Sequence, residues 1–174
     1  TVNEGVENLT DWWGMGVGSQ FDDILLAANG AGSDVILNAT VEAGRHVTVL
    51  ARDSVEQNVV LNPDETLLSR GDILAGFTDL FTPNDPQGSI DVEAFGGSVT
   101  MADGTVSQTQ GGHIRYAAPM ADVTLGLLDA GDGMVQIIAG GSILDARADT
   151  VVHGAEGFAG QTGADRTENI IASA

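Results

Sequence analysis

The sequence predicts an all-β fold, a parallel β-helix in which each coil contributes three short strands. Three observations predict it: strand-like segments that recur every 20 to 24 residues, alternating apolar side chains within them, and 24 glycines in the chain, several at the breaks between segments. Hydrophobic residues make up 43% of the 174 residues and charged residues only 18%, which favours a buried core and opposes helices rich in Glu and Lys. At this length we expect one domain of roughly five or six coils.

The clearest repeat begins at Ile90 and returns at Ile114 and Val135, with steps of 24 and 21 residues. Each copy alternates apolar and outward-facing positions, as a strand with one buried face does. The predicted inward residues of the three copies are Ile90, Val92 and Ala94; Ile114, Tyr116 and Ala118; and Val135, Ile137 and Ala139.

Two further series of apolar residues advance with the first, by 20 to 24 residues a step. Their members are Val99, Val123 and Ile143 in one series, and Val106, Leu128 and Val151 in the other. Three strand positions that advance together indicate three sides to each coil, and stacked coils share a core that one coil cannot bury alone. Glycines at 96, 97, 111, 112, 131, 133, 140 and 141 fall between the strands, where we expect corners with positive φ angles.

The ends and one internal segment break the period and divide the chain. Residues 1–20 lack alternation and are predicted to be an N-terminal cap or a linker. The β-helix is predicted over residues 21–156. Its prolines indicate an insertion near 62–87, because proline cannot donate a hydrogen bond within an internal strand ladder. Residues 157–174 are small and polar, which indicates a C-terminal cap, a partial coil or a tail.

The charge and composition exclude several classes of partner and site. Acidic residues number 25 against six arginines and no lysine, which gives a net charge of −19. Such a surface repels nucleic acid and anionic lipid, and no apolar run is long enough to insert into a membrane. The chain has no cysteine, so it holds neither disulfides nor cysteine-ligated metals.

Several segments resemble the stalks of giant repetitive bacterial surface proteins. They are DVILNATVEAGRHVTVLARDSV, GSIDVEAFGGSVTMADGTV, GGHIRYAA and ADVTLGLLDAGDG, and the likeness extends over about residues 34–149. These segments are similar to the β-helical repeats of filamentous-haemagglutinin-type adhesins. The resemblance implies an extracellular or cell-surface location. It also implies partners that are neighbouring repeats of the same chain, other copies of the chain, or surface polysaccharide.

Two aspartates are candidate Ca²⁺ ligands, and Ca²⁺ is the one cofactor that the sequence suggests. The segment NGAGSDVIL, residues 29–37, resembles a single calcium-binding nonapeptide and places Asp34 at the ligand position. Asp132 lies in a Gly-Asp-Gly segment and is the second candidate. Carboxylate oxygens are the ligands that Ca²⁺ prefers. The alternative for Asp34 is an ordinary turn residue at the start of a strand.

Outward-facing residues leave two binding or catalytic alternatives open. If Ile90 and Ile114 stack, Asp91 lies beside Arg115 with Gln136 on the far side, as acids and a cation lie on the face of a β-helical polysaccharide lyase or hydrolase. The same pair also fits a charge ladder that only stabilises the sheet.

A column of threonines would instead indicate a carbohydrate-binding or ice-binding face, and Thr48, Thr100 and Thr124 are predicted to stack in one. Our leading prediction is a non-catalytic structural segment of a bacterial adhesin or cell-surface filament. It would be a rigid acidic rod that spaces or displays binding modules and associates end to end.

Overall fold

The chain winds into a parallel β-helix, which confirms the predicted fold class. The structure is a computed structural model, and it describes residues 15–19, 22–76 and 88–146. Three parallel sheets of five strands each, with one strand of every sheet per turn, give five coils. Within the described residues there is no helix with the length and apolarity that crossing a bilayer requires.

Each sheet collects one side of every coil. The first sheet contains β1 (Met15–Ser19), β4 (Thr40–Ala43), β9 (Ile73–Ala75), β12 (Val106–Thr109) and β15 (Leu127–Asp129). The second contains β2 (Ile24–Ala28), β5 (Val47–Ala51), β10 (Ile90–Ala94), β13 (Ile114–Ala118) and β16 (Val135–Ala139). The third contains β3 (Val35–Leu37), β6 (Val55–Gln57), β11 (Val99–Met101), β14 (Val123–Leu125) and β17 (Ile143–Asp145).

Strands of successive coils pair in register, so that like residues form columns through the core. Ile90 pairs with Ile114, and Ile114 pairs with Val135, which confirms the first predicted series. The second series is confirmed by the pairing of Val123 with both Val99 and Ile143. The last inward position of the second sheet is alanine in every coil, at Ala28, Ala51, Ala94, Ala118 and Ala139.

The third, fainter series is wrong by one residue. Val106 is half-buried and pairs with Leu127, whereas the inward residue of β12 is Ser107, which pairs with Leu128. Periodicity of apolar residues locates inward positions only where the core is apolar. Because the inward residue here is a serine, the pattern selected the neighbouring valine instead. Val151, the last member of that series, lies outside the described residues.

Corner glycines serve two different geometries. Gly131 has a φ of +56°, as predicted for a sharp corner, and an L side chain would be strained there. Gly133, in the same corner, does not have a left-handed φ. It is glycine because a Cβ atom at this position would lie 2.0 Å from the carbonyl oxygen of Gly112 in the coil beneath. Close stacking of the coils, as well as backbone curvature, therefore selects glycine.

The predicted insertion contains part of a projecting hairpin and also one strand of the β-helix itself. An antiparallel hairpin of β7 (Val59–Leu61) and β8 (Leu67–Arg70) leaves the rod between β6 and β9, with Pro63 in its turn. Strand β9 follows within the same range and belongs to the first sheet. Residues 77–87 lie outside the described part of the chain.

Of the two predicted end segments, the structure describes only residues 15–19. Strand β1 lies within residues 1–20 and pairs in parallel with β4, so the wall of the first coil already includes residues 15–19. Residues 1–14 and 20 of the predicted N-terminal cap, and the whole of residues 157–174, lie outside the described residues.

Candidate functional site

Three charged side chains meet on the outer face of the second sheet. Asp91 and Glu93 flank the buried Val92 in β10, so strand alternation points both carboxylates outward. Arg115 pairs with Asp91 in the next coil and lies beside Gln136 in the one after, as predicted. Its Nη1 atom donates to Asp91 Oδ1 at 2.7 Å and to Glu93 Oε2 at 2.8 Å.

The two carboxylates stabilise the Arg115 cation. Its side chain is 30% exposed, and that of Glu93 is 19% exposed. Partial burial acts to lower the pKa of Arg115, but the hydrogen bonds with Asp91 and Glu93 and the negative charges of these two groups together outweigh it and raise the pKa above its usual value. A lyase needs a free base and a cation that can neutralise a substrate carboxylate. Here the one cation is already hydrogen-bonded to both carboxylates, an arrangement that favours the charge ladder.

A second polar cluster lies inside the rod and was not predicted. Gln57 occupies an inward column of the third sheet that is otherwise filled by Leu37, Met101, Leu125 and, in the last coil, Asp145. Its Nε2 atom donates to the carbonyl oxygen of Gly71 at 2.7 Å and to Ser107 Oγ at 3.3 Å.

Tyr116 and Ser107 close this cluster into a ring of hydrogen bonds. The Tyr116 hydroxyl donates to Gln57 Oε1 and accepts from Ser107 Oγ at 2.6 Å. Burial raises the pKa of Tyr116, so the phenol stays protonated and keeps its donor. Among the described residues, no buried side-chain nitrogen or oxygen lacks a partner.

The hairpin insertion explains why the core holds polar side chains at this level. The chain leaves the rod at Asn58 and returns at Gly71, and the Gly71 amide donates to the Asn58 carbonyl at 2.8 Å. Gly71 is buried, and its own carbonyl oxygen faces Gln57. A buried carbonyl without a donor costs about 1–3 kcal/mol. Gln57 supplies that donor. The hydroxyls of Ser107 and Tyr116 in turn satisfy the second N–H and the oxygen of the Gln57 amide.

Asp72 is a buried carboxylate next to the return of the insertion. Its Oδ1 accepts from the Val106 amide at 2.8 Å, and its Oδ2 lies 3.2 Å from Arg70 Nε. Burial raises the pKa of Asp72, and the hydrogen bond from Val106 and the charge of Arg70 oppose that rise only in part. The contacts of this carboxylate fasten the link between two coils of the first sheet.

The two candidate calcium ligands lie at different corners and in different coils. Asp34 precedes β3 in the first coil, and its Oδ1 accepts from the Ser54 amide at 2.9 Å. Asp132 is an exposed residue between β15 and β16 in the fifth coil. Of the residues that the structure describes, no three His, Asp or Glu side chains are grouped to hold a metal ion.

Side chains that accept a hydrogen bond from a backbone amide of the following coil recur at these corners. Asp122 Oδ1 accepts from the Ser142 amide at 2.6 Å, in the same column as Asp34. At the corner that precedes the second sheet, Nδ1 of His46 accepts from the Ser89 amide at 3.1 Å, and Nδ1 of His113 accepts from the Met134 amide at 3.0 Å. These side chains cap the backbone of the neighbouring coil.

The predicted threonine column is wrong at one of its three positions. Thr100 and Thr124 do pair on the outer face of the third sheet. Thr48 lies on the second sheet instead, between Leu25 and Asp91, and Glu56 occupies the position next to Thr100. All three threonines alternate with buried residues, so alternation alone could not assign them to the correct side of the coil.

Comparison with known proteins gives no match. No family model matches the sequence, and neither a curated protein nor a solved structure matches it. The β-helix is therefore established by the strand pairing of this chain. The likeness to adhesin stalks rests on the sequence segments alone.

Proposed function

We propose that the chain is a structural segment of a bacterial adhesin or cell-surface filament, a rigid acidic rod that spaces or displays binding modules. The observation that carries the proposal is the unbroken register of the second sheet, in which one column runs from Ile24 through Val47, Ile90 and Ile114 to Val135. Each coil buries its inner face only against its neighbours, which makes such a stack stiff along its axis. Strands lie about 4.8 Å apart, so the five coils extend about 24 Å.

The acidic surface supports an extracellular spacer. A net charge of −19 keeps the rod hydrated and repels other acidic polymers and anionic lipid. Outward carboxylates such as Glu42, Glu56 and Asp129 occupy ladder positions on the first and third sheets. The rod therefore presents like charge on more than one side, which favours separation of the modules that it carries.

The third sheet departs from its apolar column in the last coil that the structure describes. In the fifth coil, Asp145 occupies the inward column that Leu37, Met101 and Leu125 fill in other coils.

Two measurements test the rod. Leu25 and Gln136 lie in one outward column, four inter-coil steps apart. Spin labels attached at Leu25→Cys and Gln136→Cys should therefore give a single narrow distribution of distances, centred near roughly 19 Å plus the length of the label arms. The cysteine-free chain makes this labelling specific. Antibodies raised against the purified chain should label intact cells of the organism that makes it. Labelling only after permeabilisation would refute the surface location.

A second candidate function is a β-helical polysaccharide lyase or hydrolase, or a carbohydrate-binding module. The cluster of Arg115 with Asp91 and Glu93 on an outer face favours it. The test is turnover or binding of uronic-acid polymers with Ca²⁺ present. Arg115→Gln should abolish either activity, whereas Arg52→Gln, at an exposed corner, should leave it unchanged. Activity with that dependence would overturn the structural proposal.

A further inference from the structure

The hairpin of β7 and β8 is not needed to wind the coil. The same corner of the rod is crossed by two residues between β3 and β4, by four between β11 and β12, and by one between β14 and β15. Between β6 and β9 the chain uses residues 58–72, and most of them form the hairpin. The rod would close with a link as short as the others, so the hairpin adds a projecting element to an otherwise regular wall.

The base of the hairpin is fixed to several coils. Ser69 is buried, and its Oγ donates to the carbonyl of Asn38 at 2.6 Å. Arg70 Nη1 donates to the carbonyl of Gly104 at 3.3 Å, and Arg70 Nε pairs with Asp72. Asn38 follows β3 and Gly104 precedes β12, so these contacts attach the hairpin across the stack. Its orientation on the rod is therefore defined.

The far half of the hairpin exposes three leucines. Leu61 and Leu67 are paired across the two strands, and Leu68 is the extra residue of the bulge beside them. Their exposed fractions are 52%, 53% and 48%. A cluster of large apolar side chains on a projecting element marks a contact surface, because a structural link would not need to expose them.

The charge around these leucines identifies the kind of partner. Asp64 and Glu65 are exposed in the hairpin turn, and Asp103 is exposed beside Gly104. Arg70, the cation of the hairpin, is paired with Asp72. A second copy of the chain would bring the same acidic turns together, so charge disfavours it. An apolar segment that carries Lys or Arg complements both the leucines and the acids.

We propose that this hairpin docks an extended segment of a partner protein, in which apolar side chains alternate with lysine or arginine. No third strand pairs with the hairpin among the described residues, so beyond its fixed base it offers backbone donors and acceptors to an added strand. The leucines contact the apolar side chains, and the turn carboxylates attract the cations. The rod thereby gains a lateral binding site, which does not depend on the proposed spacing role.

Labelled synthetic peptides test this site by fluorescence anisotropy. An alternating Val/Lys peptide should bind about tenfold more tightly than a Ser/Lys peptide of equal charge, because only the first buries apolar surface on the leucines. An alternating Val/Glu peptide should not bind. The triple variant Leu61→Ser, Leu67→Thr, Leu68→Ser should remove the tenfold preference. The matched control, Leu25→Ser with Leu144→Ser, alters exposed leucines elsewhere and should retain it.

Further measurements keep the proposal open to refutation if the triple variant fails to fold. Asp64→Asn with Glu65→Gln preserves the acceptor that serves Thr66 and should weaken binding of both cationic peptides. Equal binding of the Val/Lys and Ser/Lys peptides would overturn the proposal, as would a preference that survives in the triple variant. Sedimentation that shows a dimer lost in the triple variant would assign the surface to a second copy instead.

Discussion

Replacing Tyr116 by phenylalanine tests whether the interior hydrogen-bond ring stabilises the rod. The change keeps the ring volume but removes the hydroxyl, which leaves Gln57 Oε1 and Ser107 Oγ without this partner in a buried site. An unsatisfied buried polar group costs about 1–3 kcal/mol, and the retained bond between Gln57 and Ser107 limits the loss, so we expect about 2 kcal/mol. At this chain length that corresponds to a fall in Tm of about 4–8 °C.

A double-mutant cycle measured by chemical denaturation separates the network from simple packing. Ser107→Ala and Tyr116→Phe remove two ends of one hydrogen bond, so their combined cost should be smaller than the sum of the single costs by about 1 kcal/mol. Val35→Ala, at a buried position in the first coil and three coils away from Ser107, is the control for pure loss of apolar contact and should be additive with Ser107→Ala. A Tyr116→Phe cost within about 0.5 kcal/mol of zero would refute the argument.

Four further predictions concern the corners and the charged groups. Gly133→Ala should cost about 1–3 kcal/mol through the backbone clash, whereas Gly30→Ala, whose added Cβ would meet nothing nearer than 3.7 Å, should be nearly neutral in thermal melts. Arg115→Gln should lose about 0.5–1 kcal/mol at low salt, and less at high salt, because salt screens the repulsion between its two former carboxylate partners. Asp72 has a raised pKa in the folded state, so the stability that it contributes should fall as pH rises between its usual pKa and the raised one. Asp72→Asn should flatten that part of a plot of Tm against pH. Asp34→Ala should lower the Tm without Ca²⁺ through loss of an amide acceptor, and if Asp34 also binds Ca²⁺, chelation should lower the Tm of the parent chain but not that of the variant.

The second sheet could be predicted from the sequence because its inward positions in the repeat are apolar and separated by outward residues. Ile90, Ile114 and Val135 differ little in shape and begin strands of equal length, so spacing alone gave their pairing. The same register placed Asp91 beside Arg115. The contribution of Glu93 was missed, because it depends on how far the arginine side chain reaches along the neighbouring strand.

The first sheet and the interior ring could not be predicted in the same way. Ser107 and Thr109 occupy inward positions of β12, so alternation of apolar residues fails on that side of the coil. The ring joins Gln57 to Ser107 and Tyr116, which lie 50 and 59 residues away. Contacts between different sides of the rod follow from its cross-section, and a repeat length contains no information about that cross-section.

The corner contacts give the rod a polarity. Each of three corner side chains accepts a hydrogen bond from a backbone amide of the coil that follows in the chain, namely those of Asp34, His46 and His113. The leading and trailing ends of the stack therefore differ chemically. Two copies meeting through like ends could not reproduce these bonds. An assembly that extended the ladder would have to run head to tail, with all its subunits facing one way.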